Sequence, residues 1–436
     1  MRLIYSLFLW YGFEAIITSK KYWIFPEAIY SIARIVDELF IILFLINIVL
    51  NFRTHSKYIS KSVLIFSFAY LSLLFFSGVI NYVSPFILTE YIIRYGKGLI
   101  IVIYSLMFLN IDRKYLFNFM KYLRGFFLLQ FFINSIWVLG IKIIPNGNFN
   151  NPDWAIGTFG NPFYIALFTG IVLSGTFYEF LIRDGISKNR IMYLTYIILC
   201  VVQLVWTDTK HLFFIIPLIL MFQLFILNLI RYRTKVILLS IIIFFSFNGI
   251  RTYLGNYLSS NYKTGIRLMI TSPKALAYYN SFVVIPSEVP FGLLGAGPGK
   301  GGSFIGKEDN SHLTNKYFTK YNIDELREGT TIATVPYTGI TTIQSELGFI
   351  GFTIFIIMIF VLSKNIWAKN RYNIISRYYN HLSQIDFIAF FCLLLFIIEN
   401  ILVDLLQSSF FPVLVWFIIS ISYLHNRYDN ISPLKI

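Results

Sequence analysis

Runs of about twenty apolar residues, separated by short clusters of Lys and Arg, recur along this chain, and a run of that length is what a helix needs to cross the hydrocarbon of a bilayer. With 57% hydrophobic and 13% charged residues, the chain lies far from a soluble globular composition. The expected fold class is therefore an all-α, polytopic integral membrane protein. Twelve candidate spans can be drawn: Leu3 to Thr18, Glu38 to Phe52, Ser62 to Ile80, Tyr91 to Leu109, Gly125 to Ile144, Pro162 to Ile182, Ile191 to Trp206, His211 to Ile230, Val236 to Ile250, Ile340 to Leu362, Ile385 to Val403 and Ser409 to Leu424. The first contains Trp10 and Glu14 and lacks a small-residue cleavage pattern, so it reads as a retained span and not a signal peptide.

Alternate connections differ sharply in cationic content. Asn51 to Lys61 carries three Lys or Arg, Asn110 to Arg124 four, Arg183 to Arg190 three, Arg231 to Lys235 three and Ser363 to His381 four. The intervening Asn81 to Glu90, Pro145 to Asn161 and Asp404 to Ser408 carry none. The positive-inside rule then puts both termini in the cytoplasm and the long segment from Arg251 to Gly339 outside. Ser19 to Asp37 is the exception, with Lys20, Lys21 and Arg34 on the outer side, and an interfacial helix would account for it. The chain divides into spans 1 to 9 (1–250), a large outer loop of short helices broken by five prolines (251–339), and spans 10 to 12 (340–436). The formal charge of +15 follows from these orienting cations, so nucleic acid is not an expected partner. Cys200 and Cys392 both fall in apolar runs, which supports neither a disulfide framework nor a metal site.

An ionisable group at the centre of a span costs roughly 2.5 to 3.5 kcal/mol and calls for a reason. Arg94 and Lys97 lie three apart, hence on one helical face, near the outer start of their span. Snorkelling to headgroups would explain Arg94 equally well. Other charges share that level: Asp208, Lys210 and His211 in a tight turn, Lys142 at the end of the fifth span, Arg251 leaving the ninth, Glu346 starting the tenth, Glu399 and Asp404 ending the eleventh. A transporter would place such groups near the midplane, whereas here they stop at one face. Arg suits bidentate phosphate binding and Lys point attraction.

Three glycine-bearing stretches complete the pattern. Phe291-Gly-Leu-Leu-Gly-Ala-Gly-Pro-Gly-Lys-Gly-Gly-Ser303 is too rich in glycine for a helix interior or a strand. Gly295, Gly297 and Gly299 either permit a compact turn, leaving Lys300 solvated, or present their amides to an anion as a nest. Asn161, before Pro162, is either a plain helix cap or part of a turn whose amides face an anion. Glu346 is either an acid complementing a helix N-terminus or a proton acceptor.

In Gly157-Thr-Phe-Gly-Asn-Pro162, Leu294-Gly-Ala-Gly-Pro-Gly299 and Gln344-Ser-Glu-Leu-Gly-Phe-Ile-Gly351, taken in order and on one side of the membrane, the chain resembles the bacterial polysaccharide polymerase and ligase superfamily, which includes Wzy-type O-antigen and capsule polymerases. The ligases of that superfamily carry a His-Asn pair upstream of the closing Glu-Leu-Gly; here the stretch reads Val335-Pro-Tyr-Thr338, and His312 lies too far upstream to align without a gap. The superfamily's Ser-Arg turn between two middle spans corresponds to Asp208-Thr-Lys-His211, with Lys210 in the Arg position. Both departures favour a polymerase, with a ligase or a flippase of lipid-linked oligosaccharide as the alternatives. The resemblance implies a metal-independent and cofactor-independent glycosyltransferase of the inner membrane. It would move a growing glycan from undecaprenyl pyrophosphate to the non-reducing end of a new lipid-linked repeat, with membrane lipid and a chain-length regulator as partners. Arg94, Lys97, Lys210, Arg251 and Arg267 would then hold the pyrophosphate, and Glu346, Asp208 or His211 would take the attacking hydroxyl's proton.

Overall fold

The computed structural model describes residues 6–7, 10, 27–55, 61–108, 113–143, 157–159, 161–182, 189–207, 209–226, 273–303, 305–306, 311–319, 338–375, 381–402, 405–406 and 410–431. Among them every regular element is helical and no strand occurs. The long helices are α1 (Glu27–His55), α2 (Lys61–Ile80), α3 (Pro85–Phe108), α4 (Arg113–Ser135, continued by π-helical turns over Ile136–Ile143), α5 (Pro162–Ile182), α6 (Asn189–Trp206) and α7 (Lys210–Ile226). A short helix, α8 (Pro273–Tyr279), precedes the glycine-rich stretch, and α9 (Gly339–Ile375), α10 (His381–Leu402) and α11 (Phe410–Ile431) follow it.

Among the described residues, six helical segments are long and apolar enough to cross a membrane: Glu38–His55, Val63–Ile80, Phe119–Gly140, Pro162–Leu181, Gly339–Asn373 and Ser383–Ile401. Shorter apolar helices lie at Arg190–Trp206, His211–Phe225 and Phe411–Tyr423. Helix α3 carries Glu90, Arg94 and Lys97 and is cradled by α1, α2 and α11, with the whole stretch from Tyr95 to Met107 buried. Helix α10 is central, packing on α5, α7, α9 and α11. The peripheral helices turn large apolar side chains outward, Leu50, Ile65, Phe76, Phe132, Ile191 and Phe360 among them. Water would not tolerate so continuous an apolar surface, whereas acyl chains do. This is a multi-pass membrane architecture.

The sequence-drawn span Pro162 to Ile182 coincides with α5, and α2, α6, α7 and α10 keep close to the spans drawn for them, whereas α1, α3, α4, α9 and α11 each run well past theirs at one end. The stretch from Ser363 to His381, read above as a loop, is helical as far as Ile375, because α9 continues through its charged residues. Asn81 to Glu90 is likewise only a turn over 81–84, with Pro85 opening α3, where a missing N–H costs nothing. The segment Ser19 to Asp37 is described from Glu27 onward, and there it forms the start of α1 without a break. Of the expected first span only residues 6, 7 and 10 are described, and Val236 to Ile250 lies outside the described residues.

Candidate functional site

One end of the bundle gathers the C-terminus of α2, the N-termini of α3, α5, α7 and α9, and the C-terminus of α10. The interlocking begins at Glu346. Helix α9 is interrupted at Gly348, whose φ of 64° and ψ of −166° are not helical, and the glycine-rich segment docks into this interruption. Gly295, at φ 73°, faces it so closely that a Cβ at either glycine would meet backbone atoms of the other segment within 2.6 Å. Positive φ and backbone contact together explain why both positions are glycine.

The loop then wraps the carboxylate of Glu346. The Gly301 and Ser303 amides each donate to Oε1 at 3.0 Å, and the Gly299 amide donates to Oε2 at 3.0 Å. Around this core the Gly302 amide donates to Ser345 Oγ, the Ala296 and Gly297 amides donate to the carbonyls of Ser345 and Glu346, and Thr342 Oγ1 donates to the Gly302 carbonyl. From α2, Ser77 Oγ donates to the carbonyls of Leu294 and Glu346. The α3 hydroxyl of Tyr91 lies beside the same carboxylate, with its ring stacked on Tyr95. A nest of amides is therefore present, and the anion it holds is the side chain of Glu346. That residue is fully buried with both oxygens accepting amide hydrogen bonds, a geometry that fastens the loop to α9.

Two other sequence-selected residues also have partners within the chain. Lys300 Nζ donates to the Asn81 and Tyr82 carbonyls at the end of α2, where the helix dipole favours a cation, and so it is not simply solvated. Asn161 Oδ1 accepts the Phe163 amide at 2.9 Å and caps α5. In the preceding turn, the Gly157 amide donates to Asn134 Oδ1 and the Thr158 amide to Gln130 Oε1, so those donors face α4 and not an anion.

His211, in the first turn of α7, stands differently. Its Nε2 lies 3.4 Å from Glu399 Oε2 near the end of α10, and Phe163 from α5 stacks on its ring at 5.6 Å. Glu399 is fully buried and neither of its oxygens has a hydrogen-bond partner among the described residues, while the His211 side chain keeps 24% of its surface exposed. The contact is one of proximity, since His211 Nε2 also has no hydrogen-bond partner among the described residues, and it leaves a buried carboxylate behind one ring nitrogen of a partly open imidazole. Sequence reasoning noted Glu399 only as one more charge at this level; its contact with His211 depends on α7 packing against α10, which no local pattern announces.

Arg94 pairs with Glu90 at 2.7 Å on its own helix, and Lys97 is buried on α3 among Tyr95, Leu99 and their neighbours. Helix α3 packs on α1, α2 and α11, whereas α7 packs on α5, α6 and α10. Direct helix packing therefore does not join these two cations to His211; what they share is the same end of the bundle. Asp208, Arg251, Arg267 and Asp404 lie outside the described residues, as do the side chains of Lys142 and Lys210. Among the described residues, no group of three His, Cys, Asp or Glu is placed to hold a metal ion. No family model matches this chain, and no curated protein sequence matches it closely enough to be counted a relative.

Proposed function

We propose that this protein is a polysaccharide polymerase of a bacterial inner membrane, working on lipid-pyrophosphate-linked oligosaccharides at its outer face. In this reading the chain has about twelve spans, cytoplasmic termini and a large outer loop whose glycine-rich part closes onto α9. The observation that carries it is the His211–Glu399 pair. His211, with a buried carboxylate 3.4 Å from its Nε2, lies at the bundle end that also holds the glycine-rich loop, where the superfamily-like stretches 294–299 and 344–351 are fastened together.

The acceptor sugar's hydroxyl oxygen attacks the anomeric carbon of the growing glycan, and the bond from that carbon to the pyrophosphate oxygen breaks. The pyrophosphate leaves with the electron pair, and the hydroxyl proton passes to the open nitrogen of His211. Glu399 stabilises the resulting imidazolium. The cations proposed for the leaving group are Arg94, Lys97, Lys210, Arg251 and Arg267, which in a water-excluded site supply several kcal/mol where charge develops.

Deletion of the gene, followed by complementation, tests the reading on gels of surface glycan. Deletion should leave single repeats on the surface lipid, and His211→Ala, present at normal level, should fail to restore the ladder, because a general base contributes about 10²- to 10⁴-fold. A ladder unaltered by the deletion overturns the polymerase assignment. A normal ladder from His211→Ala removes the residue from the chemistry.

A further inference from the structure

The segment between α8 and the glycine-rich loop does not sit over the tips of the helices. It runs from α8 through π-helical turns at Asn280–Val284 and a last turn at Ile285–Glu288 to Leu293. At its start, Tyr278 Oη donates to the Ile401 carbonyl at the end of α10. In its middle, the Phe282 ring packs against Phe349 at 6.4 Å and Phe352 at 5.3 Å, side chains three residues apart on α9. At its finish, the Leu293 carbonyl abuts Gly348 and the Leu294 carbonyl accepts from Ser77 of α2. A segment that contacts successive residues along α9 lies against the flank of that helix.

Four of its outward side chains are large and apolar, beside the exposed Ser287, Glu288 and Pro290. Tyr279, Val283, Phe291 and Leu293 are 57%, 52%, 53% and 64% exposed. The helices the strap leans on expose apolar side chains too, Phe76 on α2 and Ile350 on α9, both in segments long and apolar enough to cross a membrane. We infer that the strap from Pro273 to Leu294 is seated in the acyl-chain boundary of the bilayer, with Val283 and Leu293 in contact with lipid.

The backbone chemistry fits that seat. Irregular backbone at membrane depth is tolerated only where its polar groups are satisfied by protein. The strap is helical over most of its length, and the glycine-rich segment after it has its amides taken by Glu346, Ser345 and their carbonyls. Among its described side chains the exposed charge is Glu288, met by Lys316 at 3.1 Å and by the Tyr317 hydroxyl, a paired group suited to the headgroup level. Continuity with two lipid-facing helices identifies the occupant as the bilayer itself, whatever reaction the protein performs.

The test uses the full chain in lipid nanodiscs, with nitroxide labels at Val283→Cys and Leu293→Cys, a lipid-facing reference at Phe76→Cys and a headgroup-level reference at Lys316→Cys. The native Cys200 and Cys392 are both buried, and unsubstituted protein serves as the labelling control. Collisions with lipid-soluble oxygen and with a water-soluble nickel chelate are compared. Labels at 283 and 293 should resemble the one at 76, favouring oxygen over the chelate relative to 316. Behaviour like that at 316 overturns the inference by placing the strap outside the acyl chains. Protection from both agents also overturns it, by showing another protein surface there. Oxygen accessibility that disappears in detergent-solubilised, monodisperse protein marks a strap held only by lipid, which supports the inference.

Discussion

Replacing Glu346 with Gln is the sharpest single perturbation of the site, because the three amides that converge on the carboxylate give different outcomes for a scaffolding and a chemical role. The amide side chain keeps the shape of the carboxylate and removes its charge. With its carbonyl in the place of Oε1 it still accepts from Gly301 and Ser303, while its NH2 faces the Gly299 amide, donor against donor. Hydrogen bonds to a charged group are worth about 1.5 to 3 kcal/mol and roughly twice the neutral kind. Losing one and halving two weakens the clasp by about 3 to 6 kcal/mol. The bundle below is held by apolar packing that this change does not touch, so the cost should appear as local opening of the loop.

Hydrogen exchange on peptides covering 295–303, in nanodiscs, measures that opening. Protection should fall by about two to four powers of ten, up to the limit set by the unperturbed loop's own opening, while peptides from α5 and α10 stay unchanged. Unaltered protection of 295–303 would refute the reasoning. If glycan synthesis were lost at the same time, Glu346 would have to act on substrate.

Gly348→Ala places a Cβ at φ 64° and about as close as 2.3 Å to the Leu293 carbonyl, so it should also release the loop, read as rapid proteolysis within 291–303 with a preserved helical spectrum. Glu288 is held below its ordinary value of 4.5 by hydrogen bonds from Tyr317 first and Lys316 second. A carboxylate lowered on folding contributes stability that is full above its unfolded value and is lost as pH falls through the lower, folded value. Exchange protection of 312–319 should therefore hold at neutral pH and decline only on acidification below the ordinary carboxylate range; Glu288→Gln should abolish that pH dependence.

Much of the fold is legible in the sequence because lipid and protein interior both select apolar side chains. Pro162 and Ile182 bound α5 as drawn, since a proline opens the helix and Arg183 follows its last residue. Elsewhere apolar length and helix length part company. The helical hydrogen-bond ladder of α9 runs on through Lys364, Lys369 and Arg371, where hydropathy alone suggested a loop, because those residues are good helix formers and α9 packs there on α10. The glycine-rich stretch was visible as special backbone, but its ligand was not. The sequence places Glu346 forty-five residues from Gly301, and only the docking at Gly348 shows that the nest closes on a side chain of the same protein. Gln130 and Asn134 left a fainter trace, two polar residues four apart in an apolar run, the spacing that puts both on one face toward the 157–158 turn.

The distribution of satisfied and unsatisfied charge separates scaffold from candidate chemistry. At the far end of the bundle, Arg124 is bonded to Glu179 and to Thr176 and lies over the rings of Tyr193 and Tyr196. Nearby in level, Asp386 accepts from Asn373 at 3.0 Å and Ser422 at 2.6 Å, with Lys369 at 4.0 Å. Arg124, Glu179 and Asp386 thus each have hydrogen-bonding partners within the bundle, as buried ionic groups that hold helices together need. Glu346 belongs with them, its oxygens filled by amides. Glu399 does not: it is fully buried, neither oxygen has a hydrogen bond among the described residues, and the His211 imidazole lies 3.4 Å away. In the proposed reading the α7–α10 contact, and not the glycine-rich loop, takes the acceptor hydroxyl's proton.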